Sequence, residues 1–167
     1  MLRDPDANTR ITAMSAMISS GNPVLVRRAR QAGLTSSDPD MRATALKAVF
    51  DAGGPFRVVL DLSKADEKTT RVREWLSGVG ETASADGQSA SFLLSADAYD
   101  PDAKCWKAPN SSYCAIVLAG ETITLPTLRR AVASLTLGDD GVFRGTLATQ
   151  LGSNAMPPVP ASIDILE

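Results

Sequence analysis

Asp51-Ala52-Gly53-Gly54-Pro55-Phe56-Arg57-Val58-Val59-Leu60-Asp61-Leu62 is the stretch on which the fold turns. Two glycines and a proline in succession remove helix propensity and a backbone donor, so a helix arriving from the N-terminal side must stop here. Immediately beyond, Val58, Leu60 and Leu62 alternate with Arg57, Val59 and Asp61, the period of a strand with one buried face. The chain is therefore expected to divide into a helical segment, residues 1–54, and a mainly β segment, residues 55–167.

Upstream of the break, a pattern occurs twice. Asp4-Pro5-Asp6 leads into Arg10-Ile11-Thr12-Ala13-Met14-Ser15-Ala16-Met17, and Asp38-Pro39-Asp40 leads into Arg42-Ala43-Thr44-Ala45-Leu46-Lys47-Ala48-Val49. In each copy Asp-Pro sets a turn and a helix start, an Arg occupies the first turns, and alanines alternate with larger apolar residues at helical spacing. Ile11, Met14 and Ile18 share one face, as do Met41, Ala45, Ala48 and Val49, which makes both stripes core-facing. The first copy carries two more residues between its Asp-Pro turn and its Arg.

These features resemble HEAT-like repeats, in which paired antiparallel helices stack into a solenoid and an Asp-Pro turn precedes an Arg-bearing second helix. The resemblance covers roughly the first third of the chain, about one and a half units. It implies a first helix of the second unit over 23–35, with Leu25, Ala29 and Ala32 inward and Arg27, Arg28 and Arg30 outward. It also implies that a partner helix upstream of residue 1 covers the first unit, because a solenoid repeat leaves apolar surface bare without its neighbour.

Downstream of the first strand, Val72, Trp75, Leu76 and Val79 return to helical period, predicting one helix over 65–78. Period-two patterns then predict strands over 90–96, 104–108, 113–119, 121–125, 132–138, 142–149 and 161–166. Asp139-Asp140-Gly141 is the clearest hairpin turn, since Asp-Gly accepts the positive φ that tight hairpins require. Short strands joined by turns favour an antiparallel β-sandwich or a small β-barrel. The expected class is α+β, a short α-solenoid packed with that β unit. With 167 residues, each half is only marginally able to stabilise itself alone, so the two are expected to share an interface.

Composition narrows the function. The chain is 44% apolar and 22% charged, an ordinary globular balance. A formal net charge of -2 supplies no field that would gather nucleic acid or an anionic membrane. No apolar run is long enough for a spanning helix, so no membrane insertion is expected, and Leu2-Arg3-Asp4-Pro5-Asp6 carries no apolar core of a secretory leader. Histidine is absent, which removes the commonest general base and metal ligand and with it any Ser-His-Asp or Cys-His arrangement. No phosphate-binding loop or dinucleotide fingerprint is present. Carboxylate chemistry remains, yet nothing in the placement of the 19 acidic residues singles out a glycosidase pair. The cluster Asp97-Ala98-Tyr99-Asp100-Pro101-Asp102 lacks the regular spacing of a calcium loop and reads as turn chemistry. No catalytic residue, cofactor or metal is expected.

Cys105 and Cys114 flank Trp106-Lys107-Ala108-Pro109-Asn110-Ser111-Ser112-Tyr113, whose Pro-Asn-Ser-Ser core favours a turn that would set the two thiols opposite each other. A disulfide, and hence an oxidising compartment, is the favoured reading; two buried free thiols in a cytoplasmic scaffold compete with it. Tyr99, Trp106 and Tyr113 gather around this loop and are the candidate binding residues, since exposed aromatic faces stack on sugars or partner proteins. The same three rings would serve equally to cover a bridge and plug a small β core. The chain is thus expected to be an extracytoplasmic, periplasmic or secreted, binding or assembly module for a protein or carbohydrate, with a carboxylate-dependent glycan hydrolase as the main alternative. Intact mass with thiol alkylation, before and after reduction, should show both cysteines protected until reductant is added. Removing one of them should then cost about 2 to 4 kcal/mol of stability.

Overall fold

The computed structural model describes residues 2–64, 82–128, 131–149 and 158–166. The helix expected over 65–78 lies outside them. Three helices come first, α1 (Ala7–Ser19), α2 (Pro23–Leu34) and α3 (Pro39–Asp51). Each begins at a side-chain cap that satisfies otherwise orphaned amides. The Asp6 carboxylate accepts from Thr9 N at 2.8 Å, Asn22 Oδ1 from Val24 N at 3.0 Å, and Asp38 Oδ1 from Asp40 N at 3.0 Å. Asp6, not Asp4, is therefore the counterpart of Asp38, and the spacing from cap to arginine becomes the same in both copies. Arg10 reaches across to pair with the cap carboxylate of α3, Asp38, tying the first copy to the second.

The helices pack tightly at Gly33, where a Cβ would stand 2.5 Å from Ala45 Cβ and 2.8 Å from Met14 Sδ. Met14, Ala29, Leu34, Ala45 and Leu46 are fully buried there. On α2 the expected faces are partly exchanged. Leu25 is 36% exposed, whereas Arg30 is half-buried and donates from Nη2 to the Ala48 carbonyl of α3 at 3.0 Å. The methylene stem of an arginine can lie along an apolar seam while its head finds a carbonyl, which an outward assignment from charge alone overlooks.

Ten strands follow among the described residues: β1 (Phe56–Asp61), β2 (Thr82–Ala83), β3 (Ser89–Leu94), β4 (Tyr99–Asp100), β5 (Cys105–Lys107), β6 (Cys114–Ala119), β7 (Thr122–Leu128), β8 (Ala131–Leu137), β9 (Val142–Thr149) and β10 (Val159–Asp164). They form one antiparallel sheet in the order β2-β3-β1-β10-β9-β8-β7-β6-β5-β4. Among the described residues its outermost strands, β2 and β4, do not pair with each other. The alternation read from the sequence is present in β1, where Val58 and Leu60 are buried and Arg57 and Asp61 exposed, and Leu62 just beyond is buried too. The β8–β9 hairpin turns at Gly141, with φ of 79°.

The sheet is strongly curled. β1 and β5 stand six strands apart in the order, a separation of about 29 Å in a flat sheet. Yet the Phe50 ring of α3 lies 5.4 Å from Phe56 on β1, 5.3 Å from Trp106 on β5 and 6.0 Å from Phe143 on β9. The chain leaving β3 also meets β5, with Asp97 N donating to the Lys107 carbonyl at 2.7 Å. Gly145 on β9 permits the close approach of β8, because a Cβ there would collide with the Ser134 carbonyl oxygen.

Helix α3 lies across one end of this curl. Its Arg42 is buried and pairs with Glu121, Nε to Oε1 at 2.7 Å, and with Asp139 at 3.3 Å, residues of the β6–β7 and β8–β9 turns. The glycines after α3 fit the close passage from helix to sheet. Gly53 and Gly54 hold φ of 81° and 89°, and a Cβ on them would meet the carbonyl oxygens of Ala96 at 2.8 Å and Leu94 at 2.9 Å. Buried residues on both sides of this passage belong to one continuous core. Phe50→Ala should cost about 3 to 5 kcal/mol, and denaturant unfolding followed by far-ultraviolet dichroism and by tryptophan emission should shift together, because helices and sheet share that ring.

Candidate functional site

The loop system from residue 97 to residue 113 is held by short polar contacts. Asp100 Oδ1 accepts from Asp102 N at 2.9 Å and Ala103 N at 3.0 Å, and its Oδ2 pairs with Lys107 at 2.9 Å. The Lys107 hydrogen bond, with those two amides, lowers the Asp100 carboxyl to about 2. Asp97 Oδ2 accepts from Asn110 N at 3.3 Å, where the turn passes through a residue with φ of 55°. The acidic cluster therefore makes turns, and among the described residues no three metal-ligating side chains converge.

Cys105 and Cys114 are bridged, their Cα atoms 5.7 Å apart, and Cys105 is fully buried. The bridge closes the β5–β6 connection that carries Tyr113, so the exposed tip of the site is covalently tethered at both ends.

The three candidate aromatics do not share one environment. Trp106, expected among the binding rings, is only 2% exposed; its Nε1 donates to Asp51 Oδ1 at 3.0 Å. Its ring lies against Phe50 on one side and Tyr99 on the other, with the Tyr99 centroid at 4.8 Å. The alternation along β5 gives Trp106 a side but not the fact that α3 covers that side. Tyr99 is 36% exposed and Tyr113 is 68% exposed. The structure thus offers two tyrosines to solvent and sets the tryptophan beneath Tyr99.

Lys47 and Asp51 complete this end, and sequence reasoning did not single them out. They form a pair at helical i,i+4 spacing, Nζ to Oδ2 at 2.6 Å, while Lys47 Nζ stands 5.4 Å from the Tyr99 ring centroid. Both line an open groove of about 340 Å³ between α1 and α3, with Ile18 and Ala48 on its apolar side. Asp51 has both oxygens engaged, one by the indole and one by the ammonium. Their i,i+4 spacing was the available signal, but a charged pair on an exposed helix face reads by default as solvation. Chemically, the arrangement provides a ring face, a phenol, a cation and a carboxylate.

Of the arginines considered as a basic surface, Arg27 and Arg28 are exposed and Arg30 is half-buried. Arg71 and Arg73 lie outside the described residues. Among the described residues no helix is long and apolar enough to cross a membrane. Comparison with protein-family models, curated proteins and solved structures found no match to this chain.

The lowered carboxyls set the acid response. Asp38 is held below its ordinary value first by Arg10, Asp140 is lowered to about 2 first by Arg144, and Asp100 to about 2 by Lys107. Because the folded values lie below the unfolded 3.8, their stabilisation is complete above that value and is lost as pH falls toward about 2. Urea unfolding midpoints should hold level from neutral pH to roughly pH 5 and then fall. The combined Asp100→Asn and Asp140→Asn variant should show a shallower fall over the same window.

Proposed function

We propose that this protein is a non-enzymatic binding or assembly module that works in an oxidising, extracytoplasmic setting and recognises a protein or carbohydrate partner through the face carrying Tyr99 and Tyr113. The observation that carries the reading is the pairing of exposure with rigidity. Two tyrosines face solvent, one on a two-residue strand backed by buried Trp106 and the other in a loop tethered by a disulfide. Rings fixed in advance lose little conformational freedom on binding, which favours recognition by stacking and by phenol hydrogen bonds. Lys47, already beside Tyr99, adds a donor at the groove edge.

In this reading the three helices are a HEAT-like unit and a half, and the curled sheet behaves as a small barrel with α3 at one end. Support comes from the matching caps and arginines of α1 and α3, and from the contact of Phe50 with well-separated strands. The bridge and the uncommitted tyrosines favour a cell-surface or periplasmic partner over a cytoplasmic one.

The test is a double variant, Tyr99→Ala with Tyr113→Ala, compared with the parent on immobilised glycans and on displayed cell-surface proteins. The variant should keep its dichroism spectrum and lose at least about tenfold in affinity for the ligands the parent retains. Undiminished binding by a folded double variant would remove the tyrosine face as the recognition surface.

A further inference from the structure

Arg30 stands where α2, α3, the passage at Gly54-Pro55 and the end of β10 come together. Two grooves open on either side of it, one of about 340 Å³ bordered by Val26, Arg27 and Leu166, the other of about 220 Å³ bordered by Arg57 and Asp164. Arg30 and Ile165 line both, so the two grooves adjoin at these residues. Three guanidiniums border the pair, from Arg27, Arg30 and Arg57.

Their charges are not used within the fold. Among the described residues none of the three makes an ion pair, in contrast to Arg10, Arg42 and Arg144. Arg57 donates from Nε to Ser91 Oγ at 3.2 Å. Arg30 spends Nη2 on the Ala48 carbonyl, while its Nε is buried without a hydrogen-bond partner. Burial lowers the Arg30 pKa, the direction expected when a cation is desolvated without a counter-charge. A buried N–H left without an acceptor is costly; apart from that atom, a guanidinium that lacks a counter-charge is suited to receive a carboxylate end-on through its Nη atoms.

We infer that these adjoining grooves bind an acidic peptide segment of a partner protein, with a carboxylate seated on Arg30 between Arg27 and Arg57 and a neighbouring apolar side chain against Val26, Ile165 and Leu166. The choice of a carboxylate peptide over a polyphosphate follows from the walls. An apolar border lies directly beside the guanidiniums, which suits alternating acidic and apolar residues. Asp164 in the same wall, together with a net charge of -2, opposes a densely charged polyanion. Arg30 also lines the groove that holds Lys47 and Asp51, so the experiment below reads the arginines and leaves Tyr99 and Tyr113 unchanged.

The experiment uses the full chain, labelled with nitrogen-15, at low ionic strength. The probe is an acetylated, amidated hexapeptide alternating leucine and glutamate, with the leucine–glutamine peptide and inorganic phosphate as controls. Arginine Nε–Hε signals of Arg30 and Arg57 should shift saturably with the acidic peptide only. Arg27→Ala and Arg57→Ala, both at exposed positions, should each weaken binding about tenfold, and Arg30→Lys should weaken it further by removing the fork while keeping the charge. Equal binding of the glutamine peptide would leave a merely apolar groove and overturn the inference. Saturation by phosphate at the same concentrations would make it a small-anion site and also overturn it, as would the absence of any saturable shift.

Discussion

Phe50 sits where everything else must fit. It is the penultimate residue of α3, and its ring touches Phe56, Phe143 and Trp106, of which the first and last belong to strands six places apart in the order of the sheet. An antiparallel sheet of short strands has twist but no fixed radius. A bulky ring at the centre, with a close strand approach allowed at Gly145, gives it one. The two glycines that end α3 then become a requirement of distance, because the chain must pass from helix to β1 against the carbonyls that follow β3. Burial of the indole, its bond to Asp51 and the position of Tyr99 above it all depend on the same docking. The surface that carries Tyr99 is in this sense an outer layer of the core.

Much of the scaffold was legible because it obeys simple periods. Alternation in 132–138 and 142–149, with Asp-Gly between, leaves little choice but a hairpin, and the cap of α3 announces itself as Asp-Pro. The strands β2 and β4 are two residues long, too short for any alternation to register, and were not expected. The curl was illegible for a different reason: it is set by contacts between positions far apart in sequence, which no local window contains.

The site was legible in its chemistry and less so in its exposure. The symmetry of the two cysteines about a turn was enough to anticipate their bridge. Trp106 shares that neighbourhood but faces α3, and only the packing of helix on sheet decides that it supports its neighbour and leaves solvent to Tyr99 and Tyr113. Arg30 went the other way, since its charge placed it outside while its stem placed it inside. Amphipathic side chains defeat a binary reading because one residue satisfies both halves of it.

Arg10 and Arg42 occupy the same position in their two helices, and they do the same work on different material. Arg10 clasps the carboxylate at the start of another helix; Arg42 clasps carboxylates at two hairpin turns. A guanidinium recognises charge and direction, with little regard for the architecture that presents them. A helix that carries such a clasp can therefore dock on the start of another helix or on hairpin turns without changing its own surface.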